Sequence, residues 1–275
     1  MYLDYWQLDA KPFEPSSDAQ FAFAANSHQA ALHKLRYAIE NRRAAALLAG
    51  PAGAGKTLLV ESLRREVGDA YQPFVQVVFP QMSDRDLLVY LAEHLGAPPA
   101  DPQRHTIEES LRRLEFILRD NVRRKRHAVI VVDEAHLLED SGLMETLRLL
   151  LNLTVDGRPG FTLILVGQPN LLAMVARHGA LDERLDIKVF LSALTADETA
   201  AYVQHRLDAA GATREIFTGD AVETIYQLTG GVPRRINRLC DLALLVGYAN
   251  GDQTIDAADL HAVHDELVSV TPVAA

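Results

Sequence analysis

Between residues 45 and 194 the chain alternates short apolar runs with stretches that repeat at helical spacing. AAALLAG, FVQVVF, AVIVVD, TLILVG and IKVFLSAL are the apolar runs. Unbroken apolar character over so few residues predicts strands inside a parallel sheet, buried on both faces. TLLVESLRREV, DRDLLVYLAEHLG and IEESLRRLEFILRDNVRRK lie between them and predict helices, the second capped by Ser83 and stopped by Gly96. APPADPQRH predicts a loop. Upstream, Ser27 is expected to cap HQAALHKLRYAIENRR, whose Ala31, Leu35 and Ala38 share one face. Strands alternating with helices imply an α/β fold, a five-stranded parallel sheet with helices on both faces.

From Thr195 onward the strand pattern stops. TADE reads as a capping box, Thr195 with Glu198, opening the helix TAAYVQHRLDAAGA. Further helical patterns near 220–228, 233–249 and 256–268 predict a small all-α unit. The opening residues place Tyr2, Tyr5, Trp6, Phe13, Phe21 and Phe23 among Pro12 and Pro15, a density of aromatic rings expected of a packed, ordered arm. The organisation read from the pattern is an arm at 1–26, an α/β domain at 27–192, a helical lid at 193–270 and a tail at 271–275. The stripe LRLLLNL (147–153) and Cys240 in LCDLALL are expected in the core.

Composition narrows this picture. A chain of 275 residues, 48% hydrophobic and 23% charged, has what an ordinary globular core requires. The longest apolar runs are too short to span a bilayer, and MYLDYWQLDAKPF lacks the basic start and apolar core of a signal peptide. One cysteine cannot close an internal disulfide, so a cytoplasmic location is expected. A net charge of -10 argues against broad nucleic-acid binding. RDNVRRKRH (119–127) is a local exception, although cations at a helix C-terminus are also favoured by the helix dipole. The histidines show no metal-ligand spacing.

The candidate chemistry starts at GPAGAGKT: Gly50, Pro51, Ala52, Gly53, Ala54, Gly55, Lys56 and Thr57, followed by Leu58. It fits G-x-x-x-x-G-K-[ST] between a strand and a helix, the setting in which backbone N–H groups and a helix N-terminus cradle phosphates. Lys56 is then placed for the β- and γ-phosphates of ATP and the Thr57 hydroxyl for Mg²⁺. AVIVVDEAH ends a strand with two carboxylates, Asp133 for the metal and Glu134 as general base toward water. His136 beside Glu134 is read either as a neighbour of the site or as a structural residue at a helix start. Gln168, after the strand TLILVG, is suited to orienting water. Two arginines are candidates for the charge that develops on the γ-phosphoryl group: Arg184 in ALDERLD and Arg234 in GGVPRR. Gly230 and Gly231 should end one helix and Pro233 begin the next. Arg235 and Arg238 are expected to be solvated.

Taken in order, the phosphate loop, DE, the strand-end glutamine, L-x-x-R and G-G-x-P-R resemble the AAA+ ATPases. YWQLDAKPFEPSSDAQFAF, LILVGQPNL and GGVPRRINRLCD add a resemblance to the ExeA-type, or general secretion pathway protein A, ATPases. The resemblance implies sheet order 5-1-4-3-2 and Mg²⁺-dependent hydrolysis of ATP. It also implies Gln168 as sensor 1, Arg184 as an arginine finger acting on the next subunit of an oligomer or ring, and Arg234 as sensor 2, brought to the γ-phosphate by lid closure. Proteins of that type often continue into a membrane span and a peptidoglycan-binding domain, whereas this sequence ends at VSVTPVAA; a separate membrane or secretion partner is expected. A DNA-associated ATPase of the transposition target-selection type is the alternative, and a nucleotide-dependent binding module with little turnover is a third reading.

Overall fold

A computed structural model describes residues 2–14, 19–78, 80–99, 106–139 and 141–269. Pro15, Phe79, residues 100–105 of the expected loop, and the tail fall outside them. The chain divides into two compact units: residues 27–52 with 56–191, and residues 1–26 with 53–55 and 192–275.

The larger unit holds five parallel strands, β1 (Ala45–Ala49), β2 (Phe74–Val77), β3 (Ala128–Val132), β4 (Phe161–Gly167) and β5 (Leu185–Phe190). Their spatial order is β2-β3-β4-β1-β5, the expected 5-1-4-3-2 read from the other edge. β1, β3 and β4 are buried at every position. β5 departs from the expectation of a strand buried on both faces. It is an edge strand in which Leu185 and Val189 are buried while Asp186, Lys188 and Phe190 are exposed, so one of its faces is left uncovered, unlike the other edge strand, β2, which is largely buried.

Helices α2 (Asn26–Glu40), α3 (Lys56–Glu66), α4 (Asp84–His94), α5 (Ile107–Arg123), α6 (Leu143–Leu150), α7 (Asn170–Arg177) and α8 (Gly179–Asp182) connect the strands. Ser83 caps α4 by accepting the Asp86 N–H, and Gly96 (φ 108) follows its end. Ala31, Leu35 and Ala38 of α2 are buried as expected, but Ser27 lies inside the first turn and not at the cap, since the helix begins at Asn26, two residues before the expected start at His28. The stripe at 147–153 is only partly core: Leu147 and Leu150 are buried, Leu149 is exposed, and α6 ends before Asn152. A small antiparallel hairpin pairs Thr154–Val155 with Arg158–Pro159. Its turn, Asp156-Gly157, has positive φ at both residues (52 and 74), which is the Asp-Gly signal for a two-residue hairpin that the strand reading passed over.

The second unit packs α1 (Tyr2–Trp6), α9 (Ala196–Ala209), α10 (Gly219–Thr229), α11 (Pro233–Asn250) and α12 (Ala257–Ser269). The capping box at Thr195 and Glu198 is present in both directions. Gly230 (φ 60) and Gly231 (φ 69) end α10, and Pro233 opens α11. A side chain at Gly231 would place its Cβ 2.0 Å from the Leu194 carbonyl oxygen, so glycine is required there by both conformation and space. The aromatic arm belongs to this core. Trp6 and Phe13 are buried against α11 and the helices around it, and Arg206, itself buried, donates to the Pro12 and Glu14 carbonyls and lies over the Phe21 ring.

His127, counted with the basic run 119–127, is buried and belongs to the sheet. Its Nε2–H donates to Thr162 Oγ1 (2.9 Å), whose own proton goes to the Arg43 carbonyl (2.7 Å). Burial, with Arg42 nearby, pushes its pKa down from 6.5 to about 4. The folded chain therefore prefers neutral imidazole. This contribution is complete above pH 6.5 and lost as pH falls toward 4, a loss of roughly 3 kcal/mol for a shift of this size. Urea midpoints measured across that window should fall with pH in the parent chain, and His127→Gln should flatten this part of the profile.

Candidate functional site

The C-terminal ends of the parallel strands carry the site, as open α/β sheets dictate. The β1 chain turns into the loop at Gly50, whose N–H donates to the Gly167 carbonyl at the end of β4 (3.2 Å). A Cβ on Gly50 would lie 2.6 Å from the Leu191 carbonyl oxygen, so the loop starts where only glycine fits. Gly53 (φ 82) and Gly55 (φ 96) adopt the left-handed conformation that turns successive N–H groups toward one concave face. Lys56 begins α3 and is 7% exposed. Its ammonium donates to the carbonyls of Gly50 (2.8 Å) and Pro51 (3.0 Å), folding the side chain back along the loop. Pro51, Ala52 and Leu58 line the same turn at its partly or fully exposed positions, and Ala54 is buried.

Asp133 follows β3 and is 5% exposed. Its Oδ2 accepts from Thr57 Oγ1 (3.4 Å) and from Gln76 Nε2 (3.5 Å), while its Oδ1 accepts the Glu134 N–H (2.9 Å). The 3.4 Å between hydroxyl and carboxylate oxygens is near the edge of an octahedron with Mg²⁺ bond lengths, about 3 Å. The two residues thus fit a shared Mg²⁺. Gln76 was missed by reading the sequence. Its signal was one polar residue inside the apolar run FVQVVF, at the β2 position paired with Val131.

Glu134 has φ 50 and ψ 33, a left-handed conformation that costs a non-glycine residue about 1 kcal/mol or more. The turn is held by the Asp133 carboxylate on its N–H and by the Leu137 N–H on its carbonyl (2.9 Å). Its carboxylate is about half exposed, and Oε2 lies 3.4 Å from His136 Nδ1. Gln168 follows β4, is partly buried, and its carbonyl accepts the Leu171 N–H at the entry to α7. Gln168, Glu134, Asp133, Thr57 and Lys56 therefore stand at the same edge of one sheet.

Arg184 does not join them. It precedes β5, at the N-terminal edge, and Leu185 pairs with Ala45 at the start of β1. A strand of this length puts it on the order of 15 Å from the loop after Ala49. Its guanidinium donates to the Leu151 carbonyl (3.3 Å) and to Asn152 Oδ1 (2.8 Å) at the end of α6. Arg234 lies in the helical unit, exposed at the start of α11. Its N–H donates to the Gly53 carbonyl (3.3 Å), and a Cβ at Gly53 would lie 2.7 Å from the Arg234 Cβ. Cys240 is fully buried, as expected of core, and burial raises its thiol pKa.

A family model described as an AAA domain matches residues 39–175. General secretion pathway protein A of Aeromonas hydrophila is 32% identical over 271 residues, covering 94% of this chain and 47% of that protein. The chain spans about half the length of the curated relative it matches. Among solved structures, the Aeropyrum pernix ORC2 protein in its ADPNP-ADP complexes aligns with a TM-score of 0.69 at 16% identity, over 94% of this chain and 72% of that one. The Thermotoga maritima RuvB Holliday junction branch migration motor aligns with a TM-score of 0.58 at 19% identity, over 93% and 73%. At such identities the likeness is one of fold.

Proposed function

We propose that the chain, matched over residues 39–175 by an AAA family model and similar to general secretion pathway protein A, is an oligomeric, Mg²⁺-dependent AAA+ P-loop ATPase, a switch that converts ATP and water to ADP and phosphate in assembly of secretion or pilus machinery. The observation that carries the hydrolytic reading is the cluster at one sheet edge, in which the Thr57 hydroxyl and Glu134 N–H both meet the Asp133 carboxylate next to the phosphate loop. Residues 50–57 hold the phosphates, with Lys56 leaving its loop carbonyls for the β- and γ-phosphate oxygens. Thr57 and Asp133 would hold Mg²⁺, which would neutralise phosphate charge. Glu134 takes the proton from the attacking water, and Gln168 orients that water. Residues 27–192 carry this chemistry, and Arg234 of the helical lid, 193–270, is assigned to the γ-phosphate.

Arg184 is assigned to a neighbouring subunit's nucleotide, since its place at the opposite edge of the sheet argues against service to its own. A ring or other oligomer follows. No helix among the described residues is long and apolar enough to cross a membrane. The secretion role rests on the relative's name.

A DNA-associated role is favoured by one observation. Arg42 and Arg43 precede β1, Arg123, Lys125 and Arg126 precede β3, and Arg158 precedes β4, which gathers cations at the sheet edge remote from the nucleotide. Arg123, Lys125 and Arg126 form no ion pair among the described residues, whereas Arg124 pairs with Asp120 and Arg119 with Glu115. Steady-state ATP turnover, measured over a range of protein concentrations with and without double-stranded DNA, separates the readings. Specific activity should rise with concentration and ignore DNA, and Arg184→Ala should lose turnover by about 10³-fold while still binding ATP. Turnover that is flat with concentration and survives Arg184→Ala would reject the shared site; strong stimulation by DNA would move the role to DNA.

A further inference from the structure

The His136 imidazole is nearly buried, at 9% side-chain exposure, and one of its nitrogens faces two partners with opposite needs. Nδ1 lies 3.4 Å from Glu134 Oε2 and 3.4 Å from the backbone nitrogen of Gln168. A carboxylate requires a proton on Nδ1; an amide N–H requires a lone pair there. Nδ1 can satisfy only one of them at a time, and neither distance is that of a fully formed bond. Gly167 makes the approach possible, because a Cβ at that position would lie 3.3 Å from both the His136 N and Nδ1 and 2.9 Å from Leu171 Cδ2. The strand that leads into Gln168 thus reaches the turn that bears Glu134 through this one ring.

We propose that His136 is a positioning residue for hydrolysis, which aims the Glu134 carboxylate when Nδ1 carries the proton and releases it when Nδ1 accepts the Gln168 N–H, the neutral ring's one proton passing between Nδ1 and Nε2 by exchange with water. The inference rests on Glu134 acting as the base toward water. The β4 tip and the base are then two ends of one exchangeable hydrogen bond. A shift of the Gln168 backbone away from the ring frees Nδ1 for the carboxylate, and a shift toward the ring withdraws it. His136 touches neither nucleotide nor water in this scheme; the ring acts through Glu134.

The test compares His136→Ala and His136→Asn with the parent chain, Asn being able to place a polar atom near the Nδ1 position. In His136→Ala, kcat should drop about tenfold or more, with KM and ATP affinity within about twofold of the parent. His136→Asn should recover most of that loss. In the parent, the ¹⁵N shifts of the His136 ring should change on Glu134→Gln and again when a non-hydrolysable ATP analogue binds. A His136→Ala enzyme with parental kcat would overturn the proposal, as would ring shifts indifferent to both perturbations. Loss of ATP affinity and melting temperature in both variants, with parental kcat per bound nucleotide, would make His136 a purely structural residue and overturn it too. A parent chain that hydrolyses no ATP at any concentration would remove the hydrolytic reading itself, and the inference with it.

Discussion

Glu134→Gln abolishes turnover and leaves ATP bound. That is the expected result, with kcat reduced by about 10²–10⁴-fold, the range for loss of a positioned general base. The substitution is isosteric and removes only the charge. The left-handed turn at φ 50 is unaffected, because it is fixed by the Asp133 carboxylate on the Glu134 N–H and by the Leu137 N–H on its carbonyl. Asp133 keeps its bonds from Thr57 and Gln76, so the groups assigned to the metal stay in place. Binding of a fluorescent ATP analogue should therefore match the parent within a few-fold, and single-turnover hydrolysis should show the whole loss in the chemical step. Turnover within tenfold of the parent would reject Glu134 as the base and reopen the reading of a module that binds nucleotide without using it.

Trp6→Ala should produce the largest loss of stability. Trp6 is fully buried, and its Nε1–H donates to the Leu244 carbonyl at 2.8 Å. Gly247 leaves room for the ring, since a Cβ there would lie 3.0 Å from Trp6 Cζ2. The Arg214 guanidinium sits 5.1 Å from the ring centroid, and Tyr5 meets the ring edge-on at 5.1 Å. Truncation leaves a cavity the size of an indole in the core of the helical unit. The cost expected for such a site is about 3–5 kcal/mol. Trp6 is the only tryptophan in the chain, so its fluorescence follows unfolding of this unit in the parent, while circular dichroism follows the variant. A helical unit whose urea midpoint moves by less than the equivalent of about 1 kcal/mol would show that the arm is an accessory and not part of the core. Trp6→Phe should fall between the two, keeping most of the apolar area and losing the hydrogen bond.

The sequence by itself determined what is local. The phosphate loop is eight contiguous residues between a strand and a helix, and its glycines are where the backbone needs them. The strands β1, β3 and β4 were legible because burial on both faces leaves an unbroken apolar run. The caps at Ser83 and Thr195 and the Gly-Gly-x-Pro break were legible because a side chain within three residues, or a fixed φ, decides them. Tertiary structure decided what depends on partners distant in sequence. Gln76 meets Asp133 across 57 residues, and His136 meets Gln168 across 32. Arg184 is tied to the end of α6 across 33 residues, and Trp6 bonds α11 across 238. The apolar run of β5 looked like that of a strand buried on both faces, and only the packing around it left every second residue exposed. No local rule reaches these pairs. A single polar residue in an apolar run, or a histidine after two carboxylates, has no fixed role until the sheet order brings a particular neighbour beside it, and that order is set by burial of the whole sheet.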